Sequence, residues 1–166
     1  MDLEELKKEN LAIAGEKGFG TTLEEIVVPE KVVLIHSEIS EAYDAFLKGN
    51  MDGKDGFYEE LADTFGRTLQ LSGILGIVFA HQLPVVLLPA DIHAQIALLH
   101  KITSEGYESY RHQRMEDFKT KLVELVSAII EMSRIHRFDL EAKFRWKMDF
   151  NKKRTWDKSK MNEKMD

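Results

Sequence analysis

Two short acid pairs carry most of the chemical information in this chain: Glu38-x-x-Glu41 and Glu60-x-x-Asp63. Each sits in a stretch whose apolar spacing predicts a helix, and a separation of three places both acids on one helix face. Two such helices packed antiparallel would aim four carboxylates at a common point. Hard divalent cations take oxygen ligands of this kind, and Mg²⁺ is commonly shared with substrate phosphates. The chemistry this predicts is a carboxylate–Mg²⁺ site, with Mn²⁺ as a substitute, acting on a phosphorylated small molecule. An acid pair on a helix is more often a solvated face, and Asp63 with Arg67 reads as an ordinary i,i+4 surface pair. Helical projection favours the site. Glu38 and Glu41 align with Leu34 and Ala45, and Glu60 and Asp63 extend through Arg67 and Gln70 to Ile74. Acids bracketed by apolar neighbours are partly buried, and clustered buried carboxylates call for a cation between them.

A basic complement lies near the C-terminus. Lys143, Lys147, Asn151 and Arg154 are spaced four, four and three, so they form one face if their helix reaches Arg154. Lysine as a point charge and arginine as a planar fork both suit phosphate. Positive charge at a helix C-terminus is also favourable without any ligand. The six histidines form no metal or catalytic motif, and His36 points to a different face from the acids. No phosphate-binding glycine loop, nucleophile elbow or dinucleotide fingerprint occurs.

The elements that must position these residues read as helices throughout. Helices are expected at 3–14, from Pro29 through the first acid pair, from Phe57 to about Leu75, at 91–105, from Met115 to about Ile135, and at 139–150. Gly49–Gly56 is turn chemistry. The uncharged stretch Thr68–Ala90 is too polar and too broken by Pro84 and Pro89 for a membrane span, and is expected to be a buried connection or a subunit interface. The result is an all-α helical bundle, with one domain over residues 1–154 and a disordered basic tail over 155–166.

Composition fits this. The chain has 166 residues, 43% hydrophobic and 31% charged, enough for one core. The absence of cysteine excludes disulfides, thiolate metal sites and thiol nucleophiles. A net charge of −6 argues against general nucleic-acid binding. Between Lys143 and Lys160, however, eight Lys/Arg face two Asp, a cationic end on an acidic body. The acidic N-terminus does not read as a signal peptide, and the cytoplasm is the expected location.

Three segments make the chain similar to the MazG-like all-α nucleoside triphosphate pyrophosphohydrolases: KGF at 17–19 with PEKVVLIHSEISEA at 29–42, DGFYEELADTFGRTLQLSGILGI at 55–77, and FDLEAKFRWKMDFNKKR at 138–154. The 18 residues between Glu41 and Glu60 fit the family spacing. The resemblance implies a bundle that assembles as a homodimer or homotetramer and Mg²⁺ on Glu38, Glu41, Glu60 and Asp63. It also implies hydrolysis of a nucleoside triphosphate to monophosphate and pyrophosphate, with Lys147, Asn151 and Arg154 as nucleotide and phosphate contacts. Glu38 is our choice as proton acceptor, and Phe19 and Tyr43 are candidates for stacking on a base. The chain departs from the family at Ser37, where many relatives have a second acid beside Glu38, and at Gln70, where many have an acid. Its second and third matching segments are also separated by an insertion over 78–135 expected to hold extra helices, as in the related dimeric all-α dUTPases, which keeps dUTP as a substrate. Two readings from other classes stand beside this one: a family member that binds nucleotides without cleaving them, and a non-catalytic helical interaction protein.

Overall fold

A computed structural model describes residues 1–155, which contain six α-helices and no strand. The tail expected to be disordered lies outside the described residues, apart from Thr155. Helix α1 spans Leu3–Glu16 and is started by Asp2, whose carboxylate accepts from the Glu4 and Glu5 amides. A 3-10 turn at Leu23–Glu25 leads into α2, Val28–Leu47, with Pro29 in its first turn, where the missing N–H costs nothing. Helix α3 is Phe57–Ile74 and α4 is Ile92–Arg111, capped by Asp91. Helix α5 is Met115–His136 and α6 is Leu140–Lys153, capped by Asp139. The insertion expected to be helical therefore contains α4 and α5 behind an irregular lead-in, and α4 runs six residues further than its sequence pattern indicates.

Helix α3 is the axis of the bundle, packed by α1, α2, α5 and α6. Its buried side includes Phe57, Leu61, Phe65 and Leu69, all fully inaccessible. The α4–α5 hairpin closes the far side against α2 and α3. The α2–α3 turn sets the antiparallel register that the acids require. Asn50 donates to the Lys54 carbonyl and accepts from the Gly53 amide, both at 3.0 Å. Gly49, at φ +72°, supplies the left-handed residue that ends α2.

Residues 75–91 form an irregular strap instead of a uniformly buried connection. Ile77 and Phe79 are buried, whereas Val78, Val85 and Leu87 are about four-fifths or more exposed. The ends are pinned: Lys7 donates to the Ile77 carbonyl, Glu4 accepts from the Phe79 amide at 2.8 Å, and Gln95 donates to the Pro89 carbonyl at 2.8 Å. Gly76, at φ +65°, ends α3, and Pro84 and Pro89 keep the apolar run from beginning α4 earlier. No helix among the described residues is long and apolar enough to cross a membrane.

Candidate functional site

The α2–α3 pairing brings Glu38, Glu60 and Asp63 together, with a carboxylate oxygen from each lying within 4.8 Å of the others. Glu38 and Glu60 are buried and Asp63 is half-buried. Glu41 follows one turn along α2 but is exposed and stands outside this trio. Its Oε1 is 3.4 Å from the Ser37 hydroxyl. Its charge still reaches the trio, adding to the upward push on Glu38 and Glu60.

Two cations border the acids. Arg67 Nε donates to Glu38 Oε1 at 3.0 Å, crossing from α3 to α2. The i,i+4 surface pair expected between Asp63 and Arg67 does not form. The arginine stem instead lies toward α2, where a buried carboxylate is the stronger partner. Lys147 Nζ lies 2.6 Å from Asp63 Oδ2 and 4.0 Å from Glu59. Helix α6 can deliver that lysine because Phe144 packs into the gap left by Gly66, where a Cβ would meet the ring at 2.7 Å. Phe144 also stands edge-on to Phe65, with ring centroids 5.2 Å apart, and Asn10 donates to the Gly66 carbonyl at 2.7 Å. Three helices thus meet at one glycine beside the acids.

The titration behaviour follows from this crowding. Burial, then the neighbouring Asp63 charge, pushes Glu60 up to about 7. Burial also raises Glu38, with Arg67 opposing, and it raises Asp63, with Lys147 opposing. Burial works to lower Lys147, but the Asp63 carboxylate more than offsets it and holds the ammonium above the ordinary lysine range. Glu60 has no ion pair among the described residues. An all-oxygen donor set, three members strong and short of positive charge even with two cations beside it, suits a hard divalent ion.

Glu38 and Asp63 line a groove of about 560 Å³ between α1, α3 and α6, whereas Glu60 lies outside its lining. Lys147, Asn151 and Arg154 all line it, as does Phe19. Helix α6 ends at Lys153 and Arg154 has turned to extended backbone, so the four-residue basic face is not continuous. Arg154 reaches the groove as a cap residue, its carbonyl accepting from Lys17 Nζ at 3.0 Å. Lys143 is directed elsewhere, paired to Asp52 of the α2–α3 turn at 2.6 Å. Tyr43 does not line the groove. It sits at the α2–α4 contact with its hydroxyl 2.9 Å from His93 Nδ1. His36 likewise faces α4, where its Nδ1 lies 2.6 Å from that of His100. Sequence reasoning missed Asn10 and Ile13 of α1 as groove residues, and nothing in the periodicity of α1 marks which flank meets α3.

Comparison of the chain with protein-family models, with curated proteins and with solved structures finds no match.

Proposed function

We propose that this groove binds a nucleoside triphosphate with a divalent cation and hydrolyses it to the monophosphate and pyrophosphate. The observation that carries the reading is the meeting of Glu38, Glu60 and Asp63 within 4.8 Å, two of them, Glu38 and Asp63, lining a groove together with Arg67 and Lys147. Glu38, Glu60 and Asp63 would hold Mg²⁺, with Glu41 completing the set by a change of rotamer. The ion would polarise the phosphate chain and make a bound water more acidic. Water attacks the α-phosphorus and the bond from that phosphorus to the bridging oxygen breaks, so pyrophosphate leaves.

The side chains divide the remaining work. Arg67 favours the ionised form of Glu38 and orients it, which leaves Glu60, free of an ion pair, as the proton acceptor. Lys147 and Arg154 offset negative charge on the departing pyrophosphate, an electrostatic contribution that matters most in a partly dry groove. Asn151 supplies a neutral amide beside them. dUTP remains one candidate substrate among the deoxynucleotides.

The test is pyrophosphate release from each common nucleoside triphosphate and dUTP in the presence of Mg²⁺. Release with at least one of them is expected, falling by more than about 100-fold in Asp63→Ala with helical circular dichroism retained. Turnover by Asp63→Ala at the wild-type rate would remove these acids from the reaction.

We assign the exposed strap residues Val78, Val85 and Leu87 to contact with a second copy of the chain, in line with the homodimer or homotetramer that the resemblance implies. Sedimentation should show an assembly that Leu87→Asp dissociates. A wild-type protein that sediments as a monomer at every accessible concentration rules this assignment out.

A further inference from the structure

Helix α3 carries more than the acids on its groove side. Glu60, Asp63, Arg67 and Gln70 follow one another at spacings of three, four and three, a single stripe along the helix. The first two belong to the carboxylate trio, and the third is the guanidinium beside it. The fourth is anomalous. Gln70 is 8% exposed, yet its side-chain amide makes no hydrogen bond to any described residue. Among the described residues Ser127 Oγ is the sealed side-chain polar atom without a partner. The Gln70 amide therefore keeps its access to solvent, and it does so through the groove that it lines.

A glutamine that is nine-tenths covered yet meets only the groove's solvent, with no partner in the fold, is an amide facing the groove. A leucine or methionine there would pack without leaving polar atoms unpaired. The surroundings suggest what the amide is for. The same groove is lined by Ile13 and Ala14 of α1 and by Phe19 just beyond it, apolar side chains that share it with the amide. Seven residues separate Asp63 from Gln70, about 10 Å along the helix axis. That is close to the reach from the phosphates of an extended nucleotide to the far edge of its base.

We propose that Gln70 reads the nucleobase of the ligand, its amide donating to and accepting from a base edge that offers an acceptor beside a donor. This rests on the nucleotide reading of the site and deepens it. Along α3 the order is then metal-binding acids, phosphate-facing Arg67, base-facing Gln70, with Phe19 and Ile13 against the base's flat surfaces. An amide suits this position better than a carboxylate would. A carboxylate can only accept, whereas every common base presents a donor and an acceptor side by side. A ligand lacking a base, such as inorganic tripolyphosphate, would leave the amide unpaired.

The experiment is equilibrium binding of α,β-imido analogues of dUTP, dCTP, dATP and dGTP, and of inorganic tripolyphosphate, all with Mg²⁺. Wild type, Gln70→Met and Gln70→Glu are compared. Wild type is expected to bind at least one analogue more tightly than tripolyphosphate. Gln70→Met should lose about 10-fold on that analogue, the worth of one hydrogen bond, and nothing on tripolyphosphate. Gln70→Glu should shift preference toward guanine, whose ring N–H and amino group are adjacent donors. Unchanged analogue binding by both variants, or an equal loss on tripolyphosphate, overturns the role of Gln70 while leaving the nucleotide reading in place. Failure of wild type to bind any analogue more tightly than tripolyphosphate overturns both.

Discussion

Replacing Glu60 by Gln is expected to stabilise the metal-free protein at about pH 8 while abolishing Mg²⁺-dependent turnover. The sign follows from linkage. The Glu60 pKa is raised from 4.5 to about 7 in the folded protein, so folding favours its protonated form. The stability this contributes is fully present below the unfolded value, near 4.5, and is lost as pH rises through the folded value, near 7. A shift of that size corresponds to a loss of up to about 3 kcal/mol across the window. The cause is physical and local: a 5% exposed carboxylate must ionise beside Asp63 without an ion pair of its own. Glutamine keeps the shape and cannot ionise. Metal-free Glu60→Gln should therefore melt several degrees above wild type at about pH 8, since 1 kcal/mol is worth about 2–4 °C in a chain of this size. The two should converge at about pH 4–5. Mg²⁺ should raise the melting temperature of wild type at about pH 8 and lose that effect as protons compete for the acids, whereas the variant should respond little at either pH. Identical melting curves for the two proteins across this range would show that Glu60 is not the strained member of the cluster.

Lys147→Met should have the opposite effect on stability. The methionine preserves most of the apolar stem but removes the ammonium 2.6 Å from Asp63. Asp63 is then a half-buried charge without its partner, a loss of about 1–3 kcal/mol. Because the missing cation also competed with metal for the same carboxylate, Mg²⁺ should stabilise the variant by more than it stabilises wild type. Turnover should nevertheless fall by about 100-fold or more if, as proposed, this positive charge faces the leaving pyrophosphate. A variant that loses both stability and its response to Mg²⁺ would mean that Lys147 only holds α6 in place.

The fold was legible because helix signals are local. Apolar spacing places α2, and the helices expected at 91–105 and 139–150 begin where Asp91 and Asp139 cap α4 and α6. Periodicity identifies a face but not the partner that covers it, and each difference at the site arises there. Arg67 lies one turn beyond Asp63 on the same stripe, so sequence alone pairs them, although a long arginine stem can equally reach Glu38 on the neighbouring helix. Glu41 shares its stripe with Glu38, yet α2 turns it toward solvent while Glu38 meets α3. The basic face of α6 fails at both ends for separate reasons. Lys143 finds an acid in the α2–α3 turn, and the helix stops before Arg154. Gln70 falls on the same stripe of α3 as Glu60 and Asp63, but its lack of a partner in the fold is visible only once the helices are packed.

The Gly66 contact explains how three helices share responsibility for the site. Asn10 from α1 and Phe144 from α6 both meet α3 at this residue, one turn beyond Asp63. The spacing between α3 and α6, and with it the reach of Lys147 to Asp63, is therefore set by a residue that has no chemistry of its own.

The central claim is that the acids of α2 and α3 form a divalent-cation site, and Mn²⁺ binding tests it most directly. Titration of the full chain at about pH 8, followed by the loss of the free-ion electron paramagnetic resonance signal, should show saturable binding in wild type. That binding should be absent in Asp63→Ala and strongly weakened in Glu60→Gln. Equal binding in all three proteins, or no saturable binding in wild type, would contradict it.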